Sequence, residues 1–150
     1  MNSYLLLSTL FFGQAACIAA VAKPMKQKQY VMEGVKLNLP PEMFTTKTSP
    51  GPDFDIYTFK SSDVVILQVY AGLNPEFPSE SAPANNVRTI EINRLLLKNH
   101  VWTDSMGISR ECLLDMRKYG THTILHFYYN HLNAHFANVA DKILSTLEKK

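Results

Sequence analysis

The sequence predicts an α+β fold, an antiparallel β-sheet with a C-terminal amphipathic helix packed on it, and three observations carry that expectation. Gly51 to Tyr70 holds two apolar runs, Phe54 to Phe59 and Val64 to Val69, joined by the polar Lys60-Ser61-Ser62-Asp63, which is the pattern of a β-hairpin. Arg110 to Arg117 alternates, with Cys112, Leu114 and Met116 between polar neighbours, as a strand with one exposed face does. Leu132, Phe136, Val139, Ala140, Ile143, Leu144 and Leu147 fall on one stripe at helical spacing.

Taken in order, Tyr30 to Met32 and Val35 to Leu39 are short strands around Glu33-Gly34, with Val35, Leu37 and Leu39 turned to one face. Pro40-Pro41 ends the second, because proline has no N–H for the ladder and holds its predecessor extended. Thr45 to Pro52 reads as a loop by composition. In the hairpin, Val64 to Tyr70 is apolar on both faces, as in a central strand covered on both sides. Asn74 to Asn86, with Pro75, Pro78 and Pro83, is a loop that can lie over the sheet edge. Val87 to Asp104 fits two templates. As a strand it aligns Ile90, Ile92, Leu96 and Trp102; as a helix it aligns Ile92, Leu95, Leu96 and Asn99. Its Thr/Ile alternation and terminal Val-Trp-Thr favour strands. Lys118-Tyr119-Gly120 turns the chain into Thr121 to Tyr129, a β-branched and aromatic strand. The final helix has Asn130 as its N-cap and Lys149 and Lys150 at the negative end of its dipole.

Residues 1–22 contain no charged side chain, and the apolar block Tyr4 to Phe12 is shorter than the ~20 residues a spanning helix needs. With Ala20-Val21-Ala22 it reads as a secretory signal peptide cleaved before Lys23. The domains are therefore 1–22, signal peptide, and 23–150, a single α+β domain with its ordered core at about 30–148. Gln14-Ala15-Ala16-Cys17 offers a second reading, lipidation of Cys17 as in bacterial lipoproteins, although Gln14 stands where such motifs carry leucine. Cys112 is then the one cysteine of the mature chain, so no intramolecular disulfide staples it and a hydrophobic core must hold it. Its strand position predicts a buried, inert thiol.

A formal charge of +2, with Lys23, Lys26 and Lys28 as the densest basic run, excludes the basic face or groove that nucleic-acid binding needs. The serine-nucleophile elbow, P-loop, dinucleotide-binding and paired-cysteine signatures are absent.

The order of elements has a parallel. A short strand ending in a proline-marked turn (Val35 to Pro41), a hairpin, a meander, and a last helix ending Ala140-Asp141-Lys142-Ile143-Leu144-Ser145-Thr146-Leu147 together resemble the PsbP-like family, which includes small bacterial envelope proteins and lipoproteins. The resemblance runs from Val35 to Leu147 and implies an antiparallel sheet with helices packed against its faces. It transfers no functional residue, because that family shares no catalytic motif. The fold also hosts immunity proteins, small exported proteins that bind and block a secreted toxin.

Five histidines raise the question of metal. His131 and His135, four apart on the expected helix, share a face but lack the glutamate of the zincin motif. His122 and His126 share a strand face yet sit ~13 Å apart, too far to ligate one ion. His100 lies close along the strand to Trp102 and Asp104. Asp53 and Asp55 share a face and are close enough to titrate as an acid/base pair. The aromatic side chains divide between core, where Phe127 and Phe136 belong, and surface, where tyrosine and tryptophan anchor interfaces.

These residues predict a non-enzymatic exported protein-binding module of the bacterial cell envelope, with an immunity protein as its specific form. A small-molecule or metal-binding periplasmic protein is the alternative. The candidate interaction surface is Tyr57, Phe77, His100, Trp102, Asp104, His122, His126 and Tyr128. The expected partner is a protein of the envelope, with no nucleic acid, no cofactor and no transmembrane span in the mature chain.

Overall fold

A computed structural model describes residues 27–80, 82–83 and 86–150. The expected signal peptide, its cleavage before Lys23 and the alternative at Cys17 lie outside the described residues.

The chain runs β1 (Lys28–Met32), β2 (Val35–Leu39), β3 (Phe44–Gly51), β4 (Phe54–Ser61), β5 (Val64–Gly72), β6 (Arg88–Ile92), β7 (Leu95–Asp104), β8 (Gly107–Asp115), a 3-10 turn (Met116–Tyr119), β9 (Ile124–Leu132), α1 (Ala134–Ser145) and β10 (Glu148–Lys149). Seven strands form one antiparallel sheet in the order β3-β4-β5-β9-β8-β7-β6, and three form a second in the order β1-β2-β10. Strand accounts for 58% of the described residues and helix for 13%. The α+β expectation is thereby corrected: the described residues are mostly β, with two antiparallel sheets and one C-terminal helix. Helices on both sheet faces, which the PsbP-like resemblance implied, are not what these residues build.

Two misread segments account for much of the difference. Thr45 to Pro52, expected as a loop, is most of β3, an exposed edge strand whose Lys47 and Pro50 blunt it against pairing with another chain. Its register with β4 shifts between Thr48 and Gly51, and the irregularity accommodates the proline. The Val87 to Asp104 stretch is two strands joined by Asn93-Arg94, as the Thr/Ile alternation favoured, but the turn puts Ile90 and Ile92 in register with Leu97 and Leu95, so Leu96 and Trp102 fall on the other face instead of sharing theirs.

The final helix starts later than expected. β9 continues through His131 and Leu132, and the N-cap is Asn133, whose side chain accepts from the Phe136 N–H at 3.0 Å, rather than Asn130. His131 therefore belongs to a strand and His135 to the helix, which removes the shared face on which the metal pair depended. Lys149 pairs with Val35 in the small sheet instead of ending the helix.

Strand parity gives the large sheet two unlike faces. On one, Val69, Phe127 and Cys112 stand side by side in register and are buried. α1 lays Ala137, Ala140, Ile143 and Leu144 on this face, and burying Ile143 and Leu144 contributes ~1.5 to 3 kcal/mol each. Arg110 fastens the helix from below: its Nη1 donates to Asp141 Oδ1 at 2.8 Å, its Nε donates to Asn99 Oδ1 at 2.7 Å, and the Tyr129 hydroxyl donates to Asp141 Oδ1 at 3.0 Å. β2 adds Val35, Leu37 and Leu39, all fully buried, and Tyr30 of β1 meets Tyr57 and Phe59 edge-on. Among the described residues, no helix lies on the opposite face. There Gln68 and Tyr70 of β5 are half-buried, so this side of the central strand is only partly covered.

Candidate functional site

The helix-free face is organised by a residue that sequence reasoning did not single out, Glu111 of β8. Antiparallel register sets His100 of β7 and Tyr128 of β9 on either side of it, with His126 diagonally adjacent. Glu111 Oε1 lies 3.4 Å from His100 Nδ1, and Oε2 lies 3.2 Å from His126 Nε2. The Ser79 N–H donates to both carboxylate oxygens at 3.2 Å and draws the segment after β5 over the face. Glu111 and His100 are 2% and 1% exposed, and His126 is 8% exposed.

An anionic carboxylate accepts from all three neighbours, which places a proton on His100 Nδ1 and on His126 Nε2. Burial pushes the Glu111 carboxyl up, but the hydrogen bonds from His126, Ser79 and His100 outweigh it and hold it below the ordinary carboxylate value. His100 Nε2 is buried with no partner among the described residues. Rings complete the cluster. Phe77 meets His126 edge-on at 5.7 Å, Trp102 lies 4.9 Å from the His100 ring, and Tyr128 lies 5.2 Å from the His126 ring.

Beside this cluster opens a cavity of about 270 Å³ bounded by Tyr70, Tyr128 and Pro75, with Glu111 and His126 at its base and Glu76 at its exposed rim. Gly72 sets the pose of Tyr70, one of the lining residues. A Cβ at position 72 would lie 2.6 Å from Tyr70 Oη and 2.8 Å from Phe54 Cβ, so only glycine lets Tyr70 lean back across the strand and stack on Phe54 at 5.0 Å. Burial pushes the Tyr128 phenol up, so it is a neutral hydroxyl.

Of the candidate surface residues, Phe77, His100, Trp102, His126 and Tyr128 come together here. Three do not. Tyr57 is buried on the helix side, where its hydroxyl donates to Glu33 Oε1 at 2.7 Å, and burial together with Glu33 pushes its phenol up to about 12. It is a core residue. Asp104 caps the β7–β8 turn, accepting from the N–H groups of Met106 and Gly107 at 2.8 and 3.2 Å, with His131 Nδ1 at 3.4 Å. His122 precedes β9 instead of sharing its face with His126, and with Glu33, Asp53 and Asp55 it lines a separate cavity of about 470 Å³.

The acid/base pair is also dismantled. Asp55 is engaged by Lys47 Nζ at 2.7 Å and the Ser49 hydroxyl at 2.5 Å; these hydrogen bonds, Lys47 foremost, hold its carboxyl below the usual range, which suits an ion pair rather than a base. Cys112 is buried, its thiol pushed up to about 11 chiefly by burial, and it donates to Asn99 Oδ1 at 3.1 Å. Phe127 is core, whereas Phe136 is half-buried beside His135. Among the described residues, no group of three histidine, cysteine or acidic side chains is arranged to hold a metal. No helix among them is long and apolar enough to cross a membrane.

Glu111 stands alone among its sequence neighbours, between Arg110 and Cys112, and its parity with His100 and His126 exists only once three strands are in register. Tyr70 was hidden for the same reason, and Glu76 because it lies outside the strands, in the segment that the Ser79 N–H ties to Glu111.

No family model matches the chain, and no curated protein matches it, so the PsbP-like resemblance gains no support from either comparison. Among solved structures, a crystal structure from Bacteroides thetaiotaomicron VPI-5482 at 1.50 Å resolution is similar at 14% identity with a TM-score of 0.46. The match covers 84% of this chain and 49% of the other, so this chain spans about half the length of that protein.

Proposed function

We propose that this chain is a non-enzymatic, exported protein-binding module of the bacterial cell envelope whose binding surface is the helix-free face of the seven-stranded sheet. The gathering of Phe77, His100, Trp102, His126 and Tyr128 on that face carries the reading. Phe77, Trp102 and Tyr128 are half-buried aromatic rings over the buried His100 and His126, the kind of ring an interface uses as an anchor, and the opposite face is occupied by α1 and the small sheet. The charge-free segment 1–22 supports export. Blocking a secreted toxin, as an immunity protein does, is the specific form of this function, since a preformed face with a side-chain-sized cavity suits a stable inhibitory contact.

The cavity itself favours a second reading, a small-molecule site. Its 270 Å³ falls just below the ~300 to 1,000 Å³ of ordinary ligand pockets, which is why a partner's side chain is the preferred occupant.

A photo-crosslinking amino acid in place of Trp102 or Tyr128, in the exported protein, tests the proposal. A discrete adduct is expected from these positions and none from Lys142 on the exposed side of α1. The captured protein, once purified, should bind wild type at least about tenfold more tightly than the Trp102→Ala variant. Adducts that form equally from Lys142, or from neither face, would count against the reading.

A further inference from the structure

We propose that the cavity beside Glu111 receives a guanidinium group, carried on an arginine side chain of the protein that docks on this face. The inference rests on the reading above and goes beyond it by naming the group recognised.

Charge is the first argument. Two carboxylates, Glu111 at the base and Glu76 at the rim, bound the cavity, and no lysine or arginine among the described residues lines it. Among the described lining residues His126 alone is able to become cationic, and its Nε2 is already turned to Glu111. An anionic ligand would meet two carboxylates with no fixed cation to offset them. A neutral apolar side chain would displace water from a carboxylate without replacing it by a further donor, leaving the charge to its three neighbours alone in a region of low dielectric.

Acceptor capacity is the second. A carboxylate offers about four lone-pair sites, and the neighbours of Glu111 approach through long contacts of 3.2 to 3.4 Å, with the Ser79 N–H divided between both oxygens. Capacity remains for a charge-assisted donor from the cavity. The walls supply the third. Tyr70 and Tyr128 present aromatic rings and Pro75 an apolar ring, surroundings that suit a planar, weakly hydrated guanidinium better than a strongly hydrated ammonium. The volume fits one long side chain.

The test is an amide-shift titration of the purified chain with the peptide acetyl-Gly-Arg-Gly-amide, its citrulline and lysine counterparts, and free L-arginine. The arginine peptide should shift the amides of Ser79, Glu111 and Tyr128 saturably. The citrulline peptide, equal in shape but uncharged, should bind at least about tenfold more weakly, and the lysine peptide and free arginine should also fall short. Glu76→Gln, on the exposed rim, should weaken the arginine peptide severalfold in a fully folded chain, and Glu111→Gln should weaken it further. Equal binding of citrulline or lysine, an unchanged response in Glu76→Gln, or shifts confined to another face would overturn the assignment. Free arginine binding as tightly as the peptide would overturn the protein-borne occupant. Should the arginine peptide fail while the crosslinks from Trp102 and Tyr128 persist, the guanidinium falls and the docking face stands. Saturable peptide binding without those crosslinks would support the cavity and sink the docking reading.

Discussion

At the scale of single residues, Glu111 decides the character of the helix-free face. A carboxylate that is 2% exposed is stable only because three donors reach it, and each donor in turn holds a different part of the molecule: His100 holds β7, His126 holds β9, and the Ser79 N–H holds the segment after β5. Its folded-state titration lies below the ordinary carboxylate value of 4.5, so folding prefers the ionised form. That contribution is present in full above about 4.5 and is lost as pH falls through the lower folded value, because the unfolded chain takes up the proton first. Glu111→Gln keeps the shape but places an amide among three donors, and is expected to cost ~1 to 3 kcal/mol at neutral pH. Urea unfolding of both proteins between pH 5 and pH 3 should show the gap between them narrowing on acidification. A gap that stays constant across that interval would mean the charge of Glu111 is not what its neighbours stabilise.

At the scale of elements, the joint between β6 and β7 is stabilised from outside and strained within. Asn93 and Arg94 form a two-residue turn with φ of 47° and 69°, both left-handed. The Asn93 Nδ2 donates to Leu147 O at 3.0 Å, which anchors the hairpin tip to the chain leaving α1. Arg94 is exposed and has no comparable compensation for a conformation that costs a non-glycine residue roughly 1 to 2 kcal/mol. Arg94→Gly is therefore expected to stabilise the fold by ~0.5 to 1 kcal/mol, because Asn-Gly is the preferred pair for such a turn. The check is a higher urea midpoint with an unchanged m-value; a lower midpoint would show that the arginine side chain contributes more than its backbone costs. The same turn explains what was hard to read in the sequence. Without a glycine after Asn93, Val87 to Asp104 carried no hairpin signal, and its apolar residues fitted strand and helix templates alike. β3 was missed because an edge strand blunted by lysine and proline has the composition of a loop. The 51–70 hairpin was legible because its turn is polar and both arms are rich in β-branched and aromatic residues.

At the scale of the whole molecule, the two faces of one sheet divide the work. The face under α1 was largely legible: Cys112, Leu114, Phe127, Ile143 and Leu144 are in the core, because apolar periodicity reports burial directly. The other face was legible only in its aromatic supply, since what joins His100, Glu111 and His126 is register across three strands, and register leaves no mark on one sequence. The division has a dynamic consequence. β5, β9 and β8 are interior to the large sheet and covered by α1, while β3 and β6 end it on either side. An amide on an interior strand exchanges only when the sheet opens broadly, whereas an edge strand frays locally at lower cost. Hydrogen exchange should therefore find the amides of Val69, Phe127 and Cys112 protected nearly to the global unfolding free energy. Thr46 of β3 and Thr89 of β6 should exchange at least about 100-fold faster, equivalent to roughly 3 kcal/mol less protection. Equal protection of edge and centre would mean that the seven strands open as one unit, and the helix-free face would then be held as rigidly as the core beneath it.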